Sequence, residues 1–108
     1  MAFSVHFAVN ARKDLREIHA YITENDSKES ADYVAREIVR AALALRETPN
    51  RGAHPPELLA NGNRSYRQIF FKPYRILYRV RGKTVFIAVI ADGRRDMTPL
   101  LARRLRSN

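Results

Sequence analysis

Apolar and polar positions alternate at two distinct periods along this chain, and the change between them divides it. Phe3, Val5 and Phe7 alternate with Ser4 and His6, the period of a half-buried strand. Asn10 is a good N-cap, and Leu15, Ile18 and Ile22 then recur at helical spacing, which predicts a first helix of roughly Ala11 to Glu24. Asn25-Asp26-Ser27 breaks it, and Asp26 with Glu29 has an acidic capping-box spacing. Ala31, Val34, Ala35, Ile38, Ala41, Ala42 and Leu45 then form a continuous apolar stripe on a second helix, which Thr48 and Pro49 stop. The link between the two helices is short, as in an antiparallel hairpin.

Residues Asn50 to Asn63, with Gly52, Pro55, Pro56 and Gly62, read as a loop with one short turn at Glu57 to Ala60. Beyond it the period becomes two. Tyr66 to Phe71 is strand-like and Lys72-Pro73 breaks it. Tyr74 to Arg81 alternates, with Tyr74, Ile76, Tyr78 and Val80 on one face and Arg75, Leu77, Arg79 and Arg81 on the other. Gly82-Lys83 is a hairpin connection. Val85 to Ala91 is apolar on both faces, as in a central strand covered from both sides. Thr98-Pro99 predicts the cap and first position of a final helix carrying Leu101 and Leu105 with Arg103, Arg104 and Arg106. The expected fold is α+β, in the order β-α-α-β-β-β-α: a helix hairpin on a mainly antiparallel four-stranded sheet, with a short C-terminal helix.

Length and composition narrow the function. At 108 residues the chain is expected to form one domain, residues 1–108. The absence of Cys removes disulfides, thiolate metal sites and Cys nucleophiles. No stretch approaches the roughly 20 apolar residues of a membrane helix, and the N-terminus has no signal-peptide core, so no membrane role and a cytoplasmic location are expected. His6, His19 and His54 lack metal-ligand spacing, and no phosphate-binding Gly loop occurs, so neither metal nor cofactor is expected. Asp14 and Glu17 read as solvated charges on an exposed helix face.

The net charge of +9 is unevenly placed. Residues 1–63 carry eight Lys and Arg against nine Asp and Glu, whereas residues 64–108 carry twelve against two, Asp92 and Asp96. Arg75, Arg79 and Arg81 share a strand face, Arg67 lies on the preceding strand, and Arg94-Arg95 follow the next. A meander brings this group together as a surface for something anionic, nucleic acid or an acidic protein segment. In the final helix, Leu101 and Leu105 suit packing, and the basic residues suit the helix dipole.

Several of these residues together resemble a known family. Ala11-Arg12-Lys13-Asp14-Leu15-Arg16-Glu17-Ile18-His19-Ala20-Tyr21-Ile22 is similar to the first helix of the ParE branch of the RelE/ParE toxin superfamily. The Pro49 to Gly52 turn, Pro56-Glu57-Leu58, Tyr66-Arg67, Pro73-Tyr74-Arg75-Ile76-Leu77-Tyr78 and the tail Arg94-Arg95-Asp96-Met97-Thr98 with Leu105 resemble the same family in the same order.

The resemblance implies the toxin of a type II toxin–antitoxin pair, neutralised by a cognate antitoxin. The ParE branch inhibits DNA gyrase and stalls replication, whereas the RelE branch cleaves mRNA on the ribosome. RelE-like nucleases use a Tyr shortly after the position of Arg95, where this chain has Leu100 and Leu101. That departure favours a gyrase inhibitor with no catalytic residues. On this reading Arg75, Arg79, Arg94, Arg95, Arg103 and Arg104 meet the target, and Leu15, Ile18, Arg67, Arg79 and Arg81 meet the antitoxin. On the alternative, endoribonuclease reading, Arg67, Arg75 and Arg95 hold the scissile phosphate.

Overall fold

The computed structural model describes residues 2–105; Arg106, expected on the final helix, lies outside them. Strand β1 (Ser4–Phe7) leads into helix α1 (Val9–Asn25), which α2 (Lys28–Leu43) follows. A 3-10 turn at Ala44–Arg46 extends α2, and a short helix α3 (Pro56–Leu59) interrupts the long loop. The strands β2 (Arg67–Phe71), β3 (Tyr74–Arg81) and β4 (Thr84–Asp92) form the predicted meander, and α4 (Met97–Leu105) closes the fold. The sheet order is β1-β4-β3-β2, with β1 parallel to β4 and the other pairs antiparallel.

Element types follow the sequence periods, while the helix starts depart from them. Helix α1 begins at Val9, so Asn10 is inside it. The cap is Ala8, whose amide is still bonded to Ile87 O at 2.9 Å, so strand and helix join without a linker. Helix α2 is capped by Ser27 rather than Asp26: Ser27 Oγ accepts from Ser30 N at 3.0 Å, whereas Asp26 ends α1 by donating its amide to Ile22 O. Helix α4 starts at Met97, which puts Thr98 and Pro99 in its first turn, where a missing amide proton breaks no helical bond.

Two cores flank the sheet. Ala11, Ile38, Ala42 and Leu45 of the hairpin layer pack on Ile69, Ile76, Tyr78, Val85, Ile87 and Ile90. On the opposite face Met97, Leu100 and Leu101 of α4 and Leu58 of α3 cover Tyr66, Leu77, Val89 and Ala91. The covering of β4 on both sides is therefore achieved within the chain.

A bulge lies behind this two-sided burial. Tyr78 pairs with Ile87 and Leu77 with Val89, leaving Ala88 as an extra residue. The alternation flips there, so that Val85 and Ile87 face the hairpin but Val89 and Ala91 face α4.

The long loop is held by Tyr78. Its buried hydroxyl donates to Pro49 O at 2.8 Å and accepts from Gly52 N at 3.0 Å, and burial pushes the phenol pKa above its usual value. A Cβ at Gly52 would lie 2.5 Å from Gln68 O and 2.8 Å from Tyr78 Oη. Gly52→Ala is accordingly expected to destabilise the protein by about 1–3 kcal/mol through forced backbone displacement. Tyr78→Phe should cost about 1–3 kcal/mol by leaving a buried amide unpaired. Urea unfolding of each variant measures both; a midpoint unchanged from wild type would contradict the loop's dependence on this contact.

Candidate functional site

The expected Arg cluster is split by the sheet. Arg67 pairs across β2–β3 with Tyr78 and so shares the hairpin face, where its Nη1 donates to Gly52 O at 2.7 Å. Arg75 points to the other face, since its neighbour Gln68 is one residue further along β2. Sequence order placed these two side chains together, and the pleat separates them.

Arg75 is also not available as a surface cation. It is 8% exposed, with Nε donating to Gln68 Oε1 at 2.8 Å and both terminal nitrogens donating to the Glu57 carboxylate at 2.8 Å each. This bidentate pair fastens α3 over the sheet. Gly93 permits the arrangement, because a Cβ there would stand 2.9 Å from Arg75 Cδ. Glu57 in turn has its pKa held below the ordinary 4.5 by the Arg75 hydrogen bonds.

Arg104 and Asp14 form a second internal pair. Strand β1 has only four residues and covers β4 from Thr84 to Ile87, so the β4 edge beyond it has no strand neighbour. Asp14 Oδ2 accepts the Ile90 amide there at 3.0 Å, and Arg104 Nη2 donates to Ala88 O at 2.9 Å. The two side chains join in a bidentate pair at 2.9 and 3.0 Å. Asp14 is therefore no solvated charge: its side chain is 14% exposed, and it ties α1 to α4 around the half-open edge. Arg104 owes its place to that carboxylate more than to the helix dipole. Glu17, by contrast, is exposed, as expected.

The remaining expected residues sort by exposure. Arg79 lies 5.8 Å from the centroid of the buried Tyr66 ring, and Arg81 is exposed at the end of β3. Arg94 is 77% exposed but bonded to Asp92, whose pKa that contact lowers. Arg95 and Arg103 are exposed. Leu15 and Ile18 are partly buried against the hairpin-side core, and Ile18 also lines a cleft.

Two clefts lie beside this region. One, of about 320 Å³, is lined by Asp14, Ile18, Tyr21, Tyr74, Asp92 and Arg95 among others. Burial and the nearby Asp92 carboxylate raise the Tyr74 pKa. The other, of about 680 Å³, runs between the hairpin turn and the β2–β3 turn over Tyr21, Ile22, Tyr33, Val34 and Tyr74, with Asp26, Glu29 and Lys72 on its rim. Tyr21 and Tyr33, which the sequence reading left without a role, are 66% and 50% exposed here. Tyr33 lies off the apolar stripe of its helix, while Tyr21 stands three residues after Ile18 within the first-helix segment that resembles the toxin family. Among the described residues no group of three His, Cys, Asp or Glu could hold a metal ion, and no helix is long and apolar enough to cross a membrane.

A family profile described as the ParE toxin of the type II toxin-antitoxin system, parDE, matches residues 5–97. The chain belongs to the ParE toxin family. Among solved structures, it is similar to the chromosomal ParDE TA system from P. aeruginosa, at 24% identity and a TM-score of 0.71, over 84% of this chain and 96% of that one. It also resembles the toxin–antitoxin complex RelBE2 from Mycobacterium tuberculosis, at 22% identity and a TM-score of 0.63, over 85% and 99%. A third similar structure is a mutant of the E. coli toxin RelE in the free state, at 15% identity and a TM-score of 0.66, over 99% and 98%. No curated protein sequence matches the chain. The ParE toxin is thus a type II toxin built on the RelE/ParE fold.

Both internal ion pairs generate expectations. Asp14→Ala should destabilise the toxin by about 2–4 kcal/mol, since it leaves Arg104 and the Ile90 amide unpaired in a mostly buried place. The double variant Asp14→Ala/Arg104→Ala should cost less than the sum of the singles, as unfolding free energies will report.

Glu57 has a depressed folded pKa, so its contribution is complete above the unfolded value near 4.5 and lost as pH falls below it through the folded value. Glu57→Gln should therefore lower stability at neutral pH and flatten its loss on acidification. A pH series of melting temperatures, in which the variant's acid limb is as steep as wild type, would contradict this.

Proposed function

We propose that this ParE toxin acts by binding DNA gyrase rather than by cleaving RNA, and that a cognate antitoxin neutralises it. The observation that carries the target reading is the state of Arg75. A nuclease site of this kind needs its guanidinium forks free to meet a phosphate whose charge grows in the transition state. Here the Arg75 fork is buried and its donors already face Glu57 and Gln68. Arg67 is pinned to Gly52 O on the opposite sheet face, which leaves Arg95 without the other two.

Proton transfer has equally little support. Arg does not deprotonate. His54 Nδ1 is bonded to Tyr66 O at 2.9 Å, His19 to Asp32 at 2.7 Å, and His6 stacks edge-on against Phe86 at 5.6 Å. None of the three is hydrogen-bonded to Arg75 or Arg95 among the described residues.

The exposed basic groups Arg95 and Arg103, with Arg94, suit the protein-binding alternative, in which rim charges steer association with an anionic surface. The antitoxin reading draws on the ParDE and RelBE assemblies that this fold resembles, and on the excess positive charge, which an acidic partner would offset.

Purified toxin is expected to inhibit gyrase supercoiling and to leave mRNA intact in a translating-ribosome assay. Arg95→Ala/Arg103→Ala, both exposed, should weaken gyrase inhibition about tenfold or more while leaving the melting temperature unchanged. Cleaved mRNA together with normal supercoiling would overturn the gyrase assignment.

A further inference from the structure

Asp14 and Arg104 satisfy the β4 edge only as far as the Ile90 amide. Gly93 N donates to Pro73 O at 2.8 Å, so along the β3–β4 ladder Ala91 and Val89 turn their backbone groups toward β3, while Ile90 and Asp92 turn theirs outward. Of those outward groups, Ile90 N is bonded to Asp14, and Asp92 O accepts from Arg95 N at 3.1 Å. Ile90 O and Asp92 N, one acceptor and one donor, have no partner among the described residues.

The residues that carry them line the cleft of about 320 Å³ between α1 and the end of β4, a volume at the small end for ligand sites. Ile18, Tyr21 and Tyr74 give it apolar walls. Its two ends differ in charge. Glu17 joins Asp14 and Arg104 around a smaller adjoining cavity, which puts it at the Ile90 end. Arg94 and, at longer range, Arg95 lower the Asp92 pKa, which puts the Arg95 guanidinium at the other end. Glu17 and Arg95 are both exposed, and neither forms an ion pair among the described residues.

Register limits what can pair with this edge. One residue running parallel to β4 and lying opposite Ala91 satisfies both open groups, its nitrogen donating to Ile90 O and its carbonyl accepting from Asp92 N. An antiparallel residue would need Ile90 N or Asp92 O, and both are taken. A parallel chain also has no room to extend backwards, because Asp14 and Arg104 already occupy the edge there. The occupant therefore begins at this residue, and its nitrogen is a terminal ammonium, which suits Ile90 O and Glu17.

We infer that this cleft captures the amino terminus of an extended polypeptide with a small first residue and an aromatic or aliphatic second one. The first residue lies opposite Ala91 and shares its face, which α4 covers, so it must be small. The second, opposite Asp92, projects to the hairpin side between Tyr21 and Tyr74. Arg95 at the exit favours an acidic third residue. Phosphate ligands fit poorly, since the carboxylates of Asp14, Glu17 and Asp92 line the same cleft.

The probe is the tripeptide amide alanyl-phenylalanyl-glutamate, titrated into full-length toxin and followed by amide NMR and calorimetry. Shifts are expected to centre on the Ile90 and Asp92 amides, with a Kd of about 1 mM or tighter. Acetylating the peptide, which removes the ammonium, should weaken binding about tenfold or more. Exchanging its first two residues should weaken it about tenfold as well, because the ring then meets the face under α4. In the toxin, Glu17→Gln should weaken the free peptide about threefold, leave the acetylated one unchanged and keep the melting temperature of wild type. If the acetylated peptide binds as tightly as the free one, or the Ile90 and Asp92 amides do not shift at the solubility limit of the free peptide, the assignment is overturned.

Discussion

Strand β4 is longer than the strand beside it, and much of the tertiary structure answers to that mismatch. Four residues of β1 cover Thr84 to Ile87, and the remaining edge would present unpaired backbone groups in the middle of the molecule. Such groups are costly unless something supplies a partner. Asp14 from one layer and Arg104 from the other supply it, and in doing so bind each other. One ion pair thus satisfies a strand edge, anchors α1, and fixes the C-terminal helix over the second core. The bulge at Ala88 lies at the same place and turns Val89 and Ala91 toward that helix.

The same economy governs the basic residues. Four of the twelve basic residues in the last 45 are paired within the chain: Arg67 with a loop carbonyl, Arg75 with Glu57, Arg104 with Asp14, and the exposed Arg94 with Asp92. Exposed to solvent besides Arg94 are Arg64, Lys72, Arg81, Lys83, Arg95 and Arg103. The mostly buried forks of Arg75 and Arg104 hold covering helices to the sheet and are not free to grip an anion.

The order and type of the elements were legible in the residues because helix and strand periods are local properties. The stripe from Ala31 to Leu45, the alternation from Tyr74 to Arg81 and the two-sided apolar run from Val85 to Ala91 each lie within a few turns or one strand. The helix caps were less legible. Asn10, Asp26 and Thr98 are all good capping residues, but a backbone bond from Ala8 to β4 and the side chain of Ser27 took the role at the first two helices, and α4 began one residue before Thr98. Of the expected site, the identity of the basic residues was readable and their availability was not. Arg67 and Arg75 look equivalent in sequence, yet the pleat sends them to opposite faces.

The chain alone therefore determined the α+β class, the meander, the absence of cysteine chemistry and the resemblance to a toxin family, all of which rest on local pattern and composition. Tertiary structure alone decided which charges are free, because the groups that neutralise them come from far along the chain. Asp14 and Arg104 are separated by 90 positions, and Glu57 and Arg75 by 18. No periodicity reports such pairs. They exist only once the fold has brought α1 and α4 to the open edge of β4 and α3 over β3.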